Sequence, residues 1–105
     1  MVRGDVHSVR LPSGRGRVQQ GRRYAVIVQA DKLAPLSTVV ICPTSQSALP
    51  ASFRPQIELQ DGKTRVLCEM VSAMDARGLG ERVGHLSLDD LAAVNAALGL
   101  VLDLT

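Results

Sequence analysis

The sequence predicts a single β-rich domain, spanning residues 1–105 and closed by one C-terminal helix, and three observations carry that reading. The chain has 105 residues, near the usual size of one domain with little core to spare. Apolar residues make up 46% of it at a net charge of only +2, too many for a disordered chain. Short runs of β-formers separated by turn residues fill the first two thirds, and the clearest helical periodicity lies at the end. Aromatic side chains are limited to Tyr24 and Phe53, so the core must be aliphatic. That scarcity disfavours modules that stack nucleic-acid bases on paired aromatic rings.

Residues 5–11 read as a first strand with imperfect alternation. Residues 12–22 combine Pro12, Gly14, Gly16 and Gly21 with polar side chains, the composition of a flexible loop. Residues 24–29 and 37–42 are continuous β-former runs that suit buried strands, with a short irregular turn around Pro35 between them. Pro43 to Ser47 is expected to end the second run in a polar loop. Residues 56–60 alternate, Ile57 and Leu59 facing inward. Asp61-Gly62 then signals a hairpin whose return strand is residues 64–70. At the C-terminus Ser87 is an N-cap with Asp90 three residues on. Leu91, Val94, Leu98 and Val101 follow at helical spacing, while Gly99 leaves the endpoint open. Five short strands and one amphipathic helix imply a small curled sheet or barrel with the helix packed on it.

No stretch approaches the roughly 20 apolar residues that cross a bilayer, and Met1-Val2-Arg3-Gly4-Asp5 lacks the features of a secretory signal. A cytoplasmic protein without membrane attachment is expected. Cys42 and Cys68 each lie in an apolar run and are read as buried free thiols. No CxxC or paired His/Cys spacing is present, so neither a metal nor another cofactor is expected. The charge is unevenly placed. Residues 1–23 hold six arginines against the single acid Asp5, a net +5, whereas the remainder holds six basic and nine acidic residues, a net −3. A cationic N-terminal segment of this kind is either an anion-binding surface or a solvated loop.

The order of these pieces resembles the MazF/PemK family of toxins over nearly the whole chain. Arg3-Gly4-Asp5-Val6 is similar to the family's opening strand. Gly21-Arg22-Arg23 before Ala25-Val26-Ile27-Val28 is similar to its Arg-Pro and hydrophobic strand, and Val39 to Ser45 to its strand ending in a Thr-containing loop. Cys68-Glu69-Met70 resembles its Glu-Gln pair, and Arg82 to Ser87 its closing segment. The resemblance implies an SH3-like small β-barrel of the MazF/CcdB/Kid type with a packed C-terminal helix, and a homodimer. It also implies metal-independent, sequence-specific cleavage of single-stranded RNA (mRNA, rRNA or tRNA) and silencing by a cognate antitoxin.

Metal-free RNA cleavage uses the 2′-hydroxyl as nucleophile and needs a proton acceptor, a donor to the leaving 5′-oxygen, and stabilisation of charge on the phosphorus oxygens. By the resemblance Arg23 is the catalytic arginine, whose guanidinium fork matches phosphate. Its pKa makes acid–base work by it harder to justify. Thr44 falls at the loop threonine that donates a hydroxyl to phosphate. Ser45 and Gln46 follow as weaker substrate contacts, and Arg17, Gln19 and Arg22 are candidate RNA-backbone contacts. Each has a plainer reading, Arg23 as a strand-edge charge and Thr44 as a turn hydroxyl. Tyr24 replaces the family's proline, Val18 a glutamate found in several relatives, Arg17 a loop serine and Met70 the glutamine, so no proton acceptor is identified. His7 and His85 are read as structural. Two other functions remain open. One is a degenerate relative that binds RNA or antitoxin without cutting. The other is a CcdB-like gyrase poison, against which the ending Leu102-Asp103-Leu104-Thr105 argues because a terminal Trp-Gly-Ile is absent.

Overall fold

Residues Tyr24–Ile27, β2, are buried at every position, and this strand explains how the sheet is built. Tyr24 and Val26 enter one core cluster while Ala25 and Ile27 enter a second on the opposite face. A strand covered on both faces reads as an unbroken apolar run, as this one does. The computed structural model describes residues 1–9 and 23–104. The strand expected at 5–11 is observed as β1, Asp5–Val9, and the loop expected at 12–22 lies outside the described residues.

The other strands are β3 (Thr38–Ser45), β4 (Gln56–Leu59), β5 (Gly62–Val66), β6 (Ser72–Asp75) and β7 (Leu79–His85). Hydrogen-bonded neighbours run β4-β5-β3-β2-β1-β7, with β6 also on β3, and every pairing is antiparallel. β3 bends the sheet. Its first half, Thr38 to Ile41, pairs with β6, Ile41 to Pro43 pair with β2, and its last residues, Thr44 and Ser45, pair with Val66 and Arg65 of β5. Changing partners along one strand turns the sheet into a curled half-barrel. The loop expected from Pro43 is therefore corrected. The strand continues to Ser45 because β5 supplies it with a partner, which no local signal announces. Residues 67–70 are corrected too: β5 ends at Val66, and Cys68–Met70 form a 3₁₀ turn.

The Asp61-Gly62 hairpin is present, with Leu59 opposite Gly62. Gly62 has φ +112°, the left-handed region a side chain resists. β6 and β7 were not expected from the sequence. β7 carries Gly80 and Gly84 and alternates poorly, and its place on β1 includes two register shifts, so pairing with β1 overrides weak propensity.

The helix α1, Leu88–Leu102, starts at Ser87, whose hydroxyl accepts the Asp90 N–H at 3.1 Å. Val94, Ala97 and Leu98 sit in the larger core cluster with Leu91 and Val101 packed beside them. That is the expected stripe, and it fastens α1 over Val6, Val26, Cys42 and Val66. Gly99 is buried inside the helix rather than ending it. No described helix is long and apolar enough to cross a membrane.

Candidate functional site

Arg23 precedes β2, and its backbone is tied down: its carbonyl accepts the Val9 N–H at 3.0 Å. Side chains alternate along β2, so Arg23 shares the face of Ala25 and Ile27 while Tyr24 points into the larger core. The half-buried guanidinium keeps its Nε out of solvent with no hydrogen-bond partner among the described residues. A buried N–H of a charged group left unpaired is costly, and an anion that accepts it recovers that cost.

Thr44 lies one residue away across the sheet. It is 4% exposed and its hydroxyl donates to the Tyr24 carbonyl at 3.3 Å. That long bond lies beyond the usual hydroxyl donor range, so the proton is held weakly. Ser45 is also buried, and its Oγ accepts the Ser47 N–H at 3.3 Å. Gln46 is exposed and donates Nε2–H to the Asp61 carbonyl at 3.3 Å. The Tyr24 hydroxyl donates to the same residue's carboxylate, Oδ2, at 2.6 Å. Thr44, paired with Val66 of the larger core, is tied to Tyr24, and Gln46 to Asp61, while Arg23 leaves from the opposite face of β2. Arg17, Gln19 and Arg22 fall outside the described residues.

The fold adds two features: an ion pair the sequence reading missed, and the placement of His7, which it read as structural. Arg54, in the segment before β4, donates Nε–H to Glu69 Oε2 at 2.8 Å, with its Nη2 2.6 Å from the same oxygen. The guanidinium lies 5.4 Å from the Phe53 ring centroid. The Arg54 hydrogen bond holds the Glu69 carboxyl below its ordinary range, against burial. Glu69 Oε1 is nevertheless buried and unpartnered. Glu69 stood in a recognised motif, but nothing in the spacing of Arg54 announces the pair. His7 is the second feature. It pairs with Ala25 across β1 and β2, which sets it diagonally from Arg23 on one face. Its Nδ1–H donates to the Gly80 carbonyl at 3.0 Å, a structural tie, while Nε2 is buried and unpartnered.

His85 donates Nδ1–H to Asp5 Oδ1 at 2.8 Å, and Arg82 Nε joins the same oxygen at 2.9 Å. Gly4, with φ +94°, brings its backbone against the His85 ring, where an added Cβ would stand 3.1 Å from Cε1. Arg3 donates Nε–H to the Val28 carbonyl. Arg3-Gly4-Asp5 is therefore a structural clasp between the N-terminus, β2 and β7.

Residues 2–102 match the model of the PemK-like, MazF-like toxins of type II toxin-antitoxin systems. The chain belongs to this family. The Mycobacterium tuberculosis protein Rv3098A is 38% identical over 106 residues, covering 99% of each chain. Endoribonuclease MazF of Staphylococcus saprophyticus is 29% identical over 113 residues, covering 99% of this chain and 92% of the relative. A mycobacterial endoribonuclease solved with its cognate antitoxin superposes with a TM-score of 0.80 at 18% identity, over 100% of this chain and 97% of the other. The curled antiparallel half-barrel with one C-terminal helix is thus the MazF-like fold. Next to the candidate arginine, Tyr24 fills core volume and its hydroxyl reaches Asp61.

Proposed function

We propose that this PemK/MazF-family chain is an endoribonuclease that cuts single-stranded RNA at short sequence motifs, without a metal, and that a cognate antitoxin silences it. The observation that carries the reading is the buried Nε–H of Arg23, without a partner among the described residues, next in sequence to the Tyr24 carbonyl that holds the Thr44 hydroxyl. A scissile phosphate seated there accepts from the guanidinium, and the Thr44 hydroxyl turns from the Tyr24 carbonyl to a second phosphoryl oxygen. The two donors meet the negative charge that grows as the 2′-oxygen attacks phosphorus. Arg17, Gln19, Arg22, Ser45 and Gln46 supply contacts along the RNA backbone. Membership of the PemK/MazF family and a relative named as an endoribonuclease support the activity. A solved toxin–antitoxin complex of the same fold supports the partner. Family membership also favours RNA cleavage over gyrase poisoning.

A homodimer completes the proposal. Leu88, Ala92, Ala96 and Leu100 recur at four-residue steps on the exposed side of α1, an apolar stripe that a two-fold partner would cover.

Arg23→Ala lowers cleavage about 100-fold or more, the usual cost of losing one oxyanion donor, in a protein that still melts cooperatively. Thr44→Ala lowers it about ten-fold, and Thr44→Ser keeps most of it. Wild-type rates in folded Arg23→Ala remove Arg23 from the chemistry.

A further inference from the structure

Asp61 is a node. Its carboxylate accepts the Tyr24 hydroxyl at 2.6 Å, and its backbone carbonyl accepts the Gln46 amide at 3.3 Å. Tyr24 is itself held at three further points. It pairs with Ser8 of β1, its carbonyl accepts the Thr44 hydroxyl, and its ring is 8% exposed within the larger core. The residue before it is Arg23, whose side chain leaves from the other face of the strand. Every described polar link between this arginine's neighbour and the other candidate residues passes through Tyr24 or Asp61.

We infer that Tyr24 and Asp61 are positioning residues, a phenol–carboxylate tether that sets Arg23, Thr44 and Gln46 relative to one another for the proposed cleavage. A hydroxyl donating to a carboxylate is among the stronger neutral-to-charged hydrogen bonds. It joins the start of β2 to the tip of the β4–β5 hairpin, two segments that no strand pairing connects. An exposed hairpin tip is otherwise free to move against the sheet. With the tether made, the tip carries Gln46 on the Asp61 carbonyl, and the Tyr24 backbone is fixed where it aims Arg23 and receives Thr44. Small displacements of charged groups at a reacting centre are expensive in rate. The tether therefore acts on kcat more than on substrate affinity.

This inference rests on the RNA-cleaving reading, and the experiment separates the two. Tyr24→Phe and Asp61→Asn remove the same hydrogen bond from opposite ends while keeping size. Each lowers kcat about ten-fold with KM changed less than about two-fold, and the double variant is no slower than either single one. In the free protein, the Arg23 Nε–H resonance shifts in both variants by nuclear magnetic resonance. Lowered melting temperatures with unchanged kcat, or additive losses in the double variant, overturn the tether. Wild-type protein that cuts no RNA overturns the function instead. The tether is then judged by the Arg23 resonance, and an unmoved resonance in both folded variants refutes it.

Discussion

Asp5 shows how much one carboxylate holds in this fold. Its side chain is 3% exposed. Burial alone would push its carboxyl up, but hydrogen bonds from the Val2 N–H, His85 and Arg82 outweigh that and lower it from the usual 3.8 to about 2. A folded-state value below the unfolded one means the stabilisation is complete above about pH 4 and is lost as pH falls toward 2. Its size is about 2 kcal/mol. Denaturant titrations at pH 5 and pH 2 therefore show a loss in the wild type that is smaller by this amount in Asp5→Asn. A carboxylate works against the fold at Asp103. This residue ends α1 at φ 57° and ψ 48°, with its N–H directed at the Gly99 and Leu100 carbonyls. It places a carboxylate at the negative end of the helix dipole, in a conformation glycine adopts freely. Asp103→Gly raises stability by about 0.5–1 kcal/mol, seen as a higher melting temperature.

Among the elements, α1 was the most legible because its start and its buried face are both local properties. Ser87 and Asp90 mark the cap, and Val94 and Leu98 mark the stripe. Leu98→Ala removes a side chain that is 9% exposed in the main core and costs about 2–4 kcal/mol. Ser87→Ala costs about 1 kcal/mol, and equilibrium unfolding distinguishes the two. The hairpin at Asp61-Gly62 was legible for the same reason, since a left-handed turn needs its glycine. The end of β3, beyond the run expected at 37–42, and the whole of β6 and β7 were not. Thr44 and Ser45 belong to a strand because Val66 and Arg65 pair with them, and partners so distant in sequence leave no trace in local pattern. The site follows the same rule. The resemblance pointed to Arg23, Thr44 and Gln46, but only the folded sheet joins Tyr24 to Thr44 and Asp61, and Asp61 to Gln46.

For the molecule as a whole, the uneven charge along the sequence, +5 over residues 1–23 and −3 over the rest, predicts how the proposed binding of a polyanion responds to salt. For the proposed RNA binding, affinity is expected to fall steeply as salt rises, because counterions released from the phosphates gain less entropy in a more concentrated bulk. The apolar stripe on α1 predicts light scattering at twice the 11.2 kDa chain mass, and a monomer at micromolar concentration contradicts the proposed dimer. The central claim concerns chemistry, and end-mapping reads it directly. Purified protein is incubated with a long RNA in excess EDTA, and the new ends are sequenced and tested for phosphate. The account predicts cuts at a short recurrent motif leaving a 2′,3′-cyclic phosphate and a 5′-hydroxyl, absent with Arg23→Ala. No cleavage until metal is added, or products bearing a 5′-phosphate, would contradict it.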